Sequence, residues 1–89
     1  MRRLLTGRWT LHPQVALRPE PFGALAYHYG NRRLTFLRAP ELVDLVAHLG
    51  DHEDVDHALA ASPIERRRWP SFRKALDGLA DADVLVAVQ

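Results

Sequence analysis

Hydrophobic and polar positions alternate with a period of two on both sides of a short turn within residues 22–37. This segment reads FGALAYHYGNRRLTFL, and its centre contains Gly30 and Asn31, which tolerate the positive φ angles of tight turns. If these two residues form the whole loop, the alternation places the larger apolar side chains on one face. They are Leu25, Tyr27, Leu34 and Phe36. The pattern therefore predicts a β-hairpin whose apolar face is covered by the rest of the protein.

The same register assigns the backbone hydrogen bonds of the second hairpin strand. A two-residue loop makes Tyr29 and Arg32 a hydrogen-bonded pair, and bonded and non-bonded pairs alternate from there. The backbone groups of Arg33, Thr35 and Leu37 would then point away from the hairpin. If this strand lies at the edge of a sheet, we expect these groups to bind an added peptide strand.

The segments around the hairpin predict one strand before it and one helix after it. Residues 15–18 form a short apolar run that ends at two prolines, which is typical of a strand that leads into a turn. Pro40 suits the first position of a helix, and apolar residues then recur at helical spacing up to Gly50. We therefore predict a helix over residues 40–49, with Ala39 as an N-cap that offers no side-chain acceptor.

The C-terminal half predicts two more helices and a strand. Asp54 is a good N-cap for a short helix that ends near Ala61. Residues 62–65 have the form of a capping box with proline, so the third helical region starts either there or near residues 69–70, where we place the main helix. It ends at residues 81–83, and the apolar run 84–88 predicts a strand that returns to the sheet.

These elements predict an α+β fold, namely a winged helix-turn-helix with an N-terminal three-stranded antiparallel sheet, three helices and a short C-terminal strand. We expect residues 1–10 to be a loosely ordered tail and residues 11–89 to form one domain. Another α+β sandwich with the same elements has the same spacing and stays open.

Composition excludes several classes of function. The 89 residues contain no cysteine, so a disulfide, a thiolate metal site and a cysteine nucleophile are all excluded. The net charge is only +1, which gives no strong overall attraction to nucleic acids or membranes. No apolar run is long enough for a membrane span or a signal peptide, and we expect a cytoplasmic protein.

The segments VALRPEPFGALAYHYGNRRLTFL and APELVDLVAHLG resemble the peptide chaperones of mycofactocin biosynthesis, which are related to the chaperones of pyrroloquinoline quinone biosynthesis. The resemblance covers most of the chain from about Leu11 onwards. It implies a non-catalytic protein without a cofactor that binds the acidic leader of a ribosomally made precursor peptide. It also implies that the leader is presented to a radical S-adenosylmethionine maturase.

The resemblance further implies a binding groove between the edge strand and the third helix, in which the leader adds a strand. The expected peptide-binding residues are Arg32, Arg33, Leu34, Thr35, Phe36, Leu37, Arg66, Trp69, Phe72, Arg73 and Leu76. Two of them, Arg66 and Arg73, belong to a basic cluster formed with Arg67, Arg68 and Lys74. Such a charged run is also typical of a solvated surface, and aromatic residues at helical spacing are more often part of a core.

The sequence also suggests two other interpretations. A winged-helix DNA-binding module would use the basic cluster, but the near-neutral charge and the lack of a second basic patch count against it. The histidines His48, His52 and His57 stand among carboxylates and suggest a metal site. Because Gly50 interrupts the helical spacing of the first two, we favour a polar connector without a metal. No motif for catalysis is present, so we predict no enzymatic activity.

Overall fold

The computed structural model describes residues 6–88, which form five strands and three α-helices. The strands are β1 (Trp9–Leu11), β2 (Val15–Glu20), β3 (Gly23–His28), β4 (Leu34–Leu37) and β5 (Leu85–Ala87). The helices are α1 (Pro40–His48), α2 (Val55–Ala60) and α3 (Trp69–Asp81). Short 3₁₀ helices over Leu49–Asp51 and Arg66–Arg68 lie directly after α1 and directly before α3. The predicted α+β class is confirmed.

The central feature is a three-stranded antiparallel sheet in the order β2-β3-β4. Within it, Tyr27 pairs with Leu34 and Leu25 pairs with Phe36, so the predicted hairpin register is confirmed. β2 continues through Pro19, which is its penultimate residue. Proline fits there because β2 is an edge strand of this sheet, where one missing N–H leaves the ladder intact.

The predicted two-residue loop is wrong. The loop spans residues 29–32, and the His28 N–H donates to the carbonyl oxygen of Arg33 at 3.0 Å. The residue with a positive φ is Arg32, at 62°, rather than Gly30 or Asn31. A side chain stabilises this wider turn, because the Asn31 Oδ1 accepts the Arg33 N–H at 2.9 Å.

The wider loop reverses the predicted direction of the backbone groups in β4. Because His28 and Arg33 form the bonded pair next to the loop, alternation makes Thr35 and Leu37 bond inward to β3. On the other side of β3, the Tyr29 N–H donates to the Gln14 carbonyl at 2.8 Å, which fits the same alternation. The outward backbone groups of β4 therefore belong to Leu34 and Phe36, and the assignment to Arg33, Thr35 and Leu37 is wrong.

The prediction that the rest of the protein covers the hairpin face with the larger apolar side chains is also wrong. The helices pack on the opposite face, where Ala24, Ala26 and Leu37 are almost completely buried. Two alanines let the backbone of α1 approach β3 closely, and Val46 and Leu49 then fill the space. Full burial of a leucine such as Leu37 stabilises the fold by about 1.5–3 kcal/mol.

A second, two-stranded sheet joins the two ends of the described chain. β1 pairs antiparallel with β5, with Trp9 opposite Ala87 and Leu11 opposite Leu85. The C-terminal strand is thus confirmed, but it does not join the hairpin sheet as a wing would. Trp9 is buried in the core, so the expected loose tail does not include it, while residues 1–5 lie outside the described part of the chain.

The predicted helices are confirmed in position. α1 begins at Pro40 with no side-chain cap at Ala39, whereas the Asp54 carboxylate caps α2 by accepting the His57 N–H at 2.8 Å. The capping box over residues 62–65 is not formed, since the Ser62 hydroxyl accepts the Ile64 N–H at 3.2 Å and donates to the Leu59 carbonyl. The helical turn that it was expected to start is present as the 3₁₀ helix Arg66–Arg68, which has no side-chain cap. The third helix therefore starts at Trp69. No helix among residues 6–88 is long and apolar enough to cross a membrane.

Candidate functional site

The outer side of β4 is an open sheet edge. No strand among residues 6–88 pairs with it, because the sheet ends there in the order β2-β3-β4. The N–H and C=O groups of Leu34 and Phe36 point away from β3 by the alternation of the ladder. An unpaired edge of this kind can hydrogen-bond an extended peptide, and main-chain bonds place few demands on the peptide sequence.

The solvent-facing side of the hairpin sheet is unusually apolar. Leu34 and Phe36 are 60% and 54% exposed, although both are large hydrophobic residues. The Phe22 ring packs edge-on against Phe36 with centroids 5.8 Å apart, and Tyr29 is 62% exposed. We call this surface the sheet face, and it comprises Phe22, Leu25, Tyr27, Tyr29, Leu34 and Phe36. Large exposed apolar surfaces on small proteins mark sites of interaction.

Arginines stand at both ends of β4. Arg32 and Arg33 precede the strand and Arg38 follows it, and all three are exposed. None has an ion-pair partner within residues 6–88, whereas Arg18, Arg67 and Arg73 are each paired with a carboxylate. The Arg38 guanidinium lies 5.2 Å from the centroid of the Phe36 ring. The open edge therefore carries positive charge that is free to bind an acidic ligand.

His28 holds the loop that sets this geometry. Its side chain is buried, and its Nδ1 accepts the backbone N–H of Gly30 at 3.0 Å and of Asn31 at 3.2 Å. Its ring also lies 4.3 Å from the ring of His12. His28 lies on the hairpin face that carries the smaller side chains, and nothing in the sequence pattern there indicates a role in the loop. Its role follows from the four-residue loop, whose N–H groups need an acceptor.

The expected residues of the third helix form a separate surface. Arg66 and Arg73 flank the Trp69 ring at 4.9 Å and 5.7 Å from its centroid, and Arg73 is also paired with Asp56. They line an open depression of about 540 Å³ that α2 completes. No β4 residue lines it. The structure therefore brings Arg66, Trp69 and Arg73 together with one another but not with the edge strand.

Three of the expected binding residues lie in the core. Leu37 and Leu76 have no exposed surface and Phe72 has only 7%. α3 packs mainly against β5, while the helix that packs against β4 is α1. In the described structure these three side chains therefore hold the elements together and do not wall an open groove.

Arg68 links the two helices near the end of β4. Its guanidinium lies 3.1 Å from the Glu41 carboxylate in α1 and 5.1 Å from the centroid of the Phe72 ring. The pKa of Glu41 is lowered, first by its own backbone N–H and then by Arg68. The sequence placed Arg68 in the basic cluster but not among the binding residues. The spacing of residues within one helix does not indicate a contact with Glu41, which lies 27 positions away in the sequence.

The histidine-rich stretch forms a local helix cap. The Asp54 carboxylate accepts both the backbone N–H and the ring Nδ1 of His57, each at 2.8 Å. These bonds lower the pKa of Asp54, the backbone bond contributing most. The bond from the ring and the charge of Asp54 raise the pKa of His57, together with the charge of Glu53. Within residues 6–88, no three histidine or carboxylate side chains are placed to share a metal ion.

The fold and its surfaces define a small α+β binding domain with an open edge strand. Residues 8–86 match the model of the peptide chaperone MftB family, so the chain belongs to this family. The family is named for a chaperone role, which confirms both the resemblance and the predicted non-catalytic class. No solved structure matches the chain.

Curated relatives agree with this assignment. The chain is 45% identical over 78 residues to the peptide chaperone MftB of Mycolicibacterium smegmatis, covering 88% of this chain and 76% of the relative. The identity to the protein of the same name in Mycobacterium ulcerans is also 45% over 78 residues, covering 88% of this chain and 72% of the relative. The identity to the peptide chaperone MftB of Mycobacterium tuberculosis is 42% over 81 residues, covering 91% of this chain and 74% of the relative.

Proposed function

We propose that this peptide chaperone binds the acidic leader of a precursor peptide as an added strand along β4 and presents it to a radical S-adenosylmethionine maturase in mycofactocin biosynthesis. The observation that carries this proposal is the open edge of β4, with outward backbone groups at Leu34 and Phe36. The arginines at both ends of the strand, which have no ion-pair partner within residues 6–88, complement an acidic peptide. The family assignment supports a peptide as the ligand.

The structure supports a shorter contact region than the sequence suggested. The leader strand bonds to Leu34 and Phe36, while Arg32 and Arg33 attract its carboxylates. A strand rises about 3.3 Å per residue, so a leader that extends past β4 can also reach the basic residues of α3. Arg66, Trp69 and Arg73 therefore form a second contact region in this proposal, beyond the added strand.

The test is to remove one outward N–H and leave the hairpin bonds in place. Phe36→Pro removes an outward donor, and Phe36→Ala is its matched control because both variants lose the ring. We expect the proline variant to bind a synthetic peptide of the leader at least about tenfold more weakly than the alanine variant, measured by calorimetry. Equal affinities would rule out strand addition at this edge.

Thr35→Pro is the complementary variant. The Thr35 N–H bonds inward to Ala26, so its loss breaks the hairpin ladder instead of the outer edge. We expect this variant to lose stability in thermal unfolding, which Phe36→Pro does to a much smaller extent. If instead Thr35→Pro folded normally and lost only peptide binding, the outward groups would have been assigned to the wrong residues.

A further inference from the structure

The sheet face is larger than a bound leader strand can cover. Neighbouring strands lie about 4.8 Å apart, and a strand added to β4 lies on the far side of that strand from β3. The leader would cover the flanks of Leu34 and Phe36, but not Leu25 and Tyr27, which belong to the central strand. Tyr27 packs edge-on against the exposed Tyr29, with ring centroids 5.0 Å apart. Half of the sheet face therefore stays open when the edge is filled.

The apolar exposure is concentrated at this one place. Five large hydrophobic side chains are exposed within residues 6–88, and four of them belong to the sheet face. The fifth is Val88, which is 44% exposed and follows β5 in the other, two-stranded sheet. Clustered aromatic residues beside arginines are typical of the centre of a protein interface.

A second copy of this chain is a poor occupant for the sheet face. A twofold dimer would bring the face against itself, together with its own bordering arginines. Arg32, Arg33 and Arg38 have no carboxylate partner within residues 6–88, and like charges across an interface oppose association. The carboxylate that β2 offers on this side, Glu20, is already paired with Arg18 at 2.8 Å. The charges therefore fit a different protein, one that supplies acidic groups.

We propose that the sheet face docks a globular protein through an apolar patch bordered by carboxylates, and that the maturase is this protein. The identity of the occupant rests on the proposed function. The edge of β4 offers main-chain groups and the sheet face offers side chains, so leader and maturase bind at the same time. The leader strand extends the surface that the maturase contacts, which makes the binding of each strengthen the other.

The experiment compares one double variant and one single variant with the wild type in binding to the purified maturase. Leu25→Thr/Tyr27→Thr makes the inner half of the sheet face polar and keeps residues that favour strands. Val88→Thr makes the same kind of change at the exposed apolar residue outside the face. We expect the double variant to bind the maturase at least tenfold more weakly while binding the leader peptide normally, and Val88→Thr to resemble the wild type.

Arg38→Glu tests the charged border. We expect it to weaken maturase binding and to reduce the dependence of that binding on salt concentration. Retained leader binding shows that the double variant has a native hairpin. Because Arg38 also borders the edge that binds the leader, the fold of Arg38→Glu is checked by thermal unfolding instead, so that loss of folding is separated from loss of docking. Sedimentation of the wild type alone gives the oligomeric state, and we expect a monomer.

The outcomes separate this inference from the proposed function. If the double variant binds the maturase as well as the wild type does, the sheet face is not the docking surface, although the chaperone role stands. If it loses the leader as well while its fold is intact, the face belongs to the leader site. Competition between leader and maturase, or a dimer that the double variant abolishes, would also overturn the inference. No binding of the maturase by the wild type would overturn both proposals.

Discussion

The backbone carbonyl of Leu37 points directly at Gly23, which is the first residue of the neighbouring strand. Gly23 has a φ of 147°, and a Cβ added there would collide with this carbonyl oxygen. Because Leu37 turns its carbonyl towards β3, its backbone is not available at the outer edge. This contact therefore supports the inward assignment of Leu37 independently of the loop.

Gly23→Ala should strongly destabilise the protein. The substitution places a side chain where φ favours glycine and where a rigid backbone atom already lies, so we expect a loss of at least about 2 kcal/mol in the free energy of unfolding. Urea denaturation measures this loss. Gly78→Ala is the matched control, since it lies in α3 with open space around its Cα and should raise stability by about 0.5–1 kcal/mol. Unchanged stability of Gly23→Ala would refute the inward orientation of Leu37.

The sequence predicted the hairpin register because two independent signals agreed. The alternation of apolar residues and the position of the turn both require Tyr27 to face Leu34. A loop of two residues and a loop of four residues centred on the same point give the same register. They differ in which pairs are hydrogen-bonded, and the four-residue loop requires Arg32 to adopt a positive φ. Arginine has no strong preference for that conformation, so the sequence carried no signal for it.

The wrong choice of the buried face has a different physical cause. Larger apolar side chains usually face the core, and by that rule Leu25 and Phe36 should be covered. Here the helices pack on Ala24 and Ala26, whose small size allows close approach and was read as a lack of need for burial. The pairing of β1 with β5 was missed because it joins residues far apart in the sequence. The sheet face, where large apolar side chains are exposed instead of buried, is also the surface to which we assign binding.

The cap of α2 should be most stable at mildly acidic pH. The pKa of Asp54 is lowered, so its contribution to stability is present above the ordinary aspartate pKa and is lost as pH falls through the lowered value. The pKa of His57 is raised, so its contribution is present below the ordinary histidine pKa and is lost as pH rises through the raised value. Both contributions are therefore complete between about pH 4 and 6.5.

An NMR titration of the His57 ring tests this coupling. Asp54→Asn keeps an N-cap side chain but removes the charge, so we expect the pKa of His57 to fall towards its ordinary value. Glu53→Gln should lower the pKa of His57 less, because Glu53 lies farther away, at 3.6 Å from the ring Nε2. An unchanged pKa of His57 in Asp54→Asn would show that the carboxylate does not hold the ring in solution.

Reversal of single arginine charges shows which basic region meets the leader first. Arg33 adjoins β4 and has no ion-pair partner within residues 6–88, so Arg33→Glu removes an available charge and adds repulsion towards an acidic peptide. We expect roughly fivefold weaker binding at low salt and a smaller dependence on salt concentration. Calorimetry with the leader peptide over a series of salt concentrations measures both quantities.

Arg66→Glu and Arg73→Glu are the comparison in α3. Both should also weaken the binding of an acidic leader and reduce its salt dependence, but less than Arg33→Glu does, because the depression they line contains no β4 residue. Arg73 is already partly neutralised by Asp56, so its reversal should have the smallest effect on the salt dependence. A larger loss at Arg66 than at Arg33 would instead place the first contact of the leader between α2 and α3. The strand added to β4 would then have to form after that contact. The salt dependence of leader binding would be set by the basic residues at α3 alone.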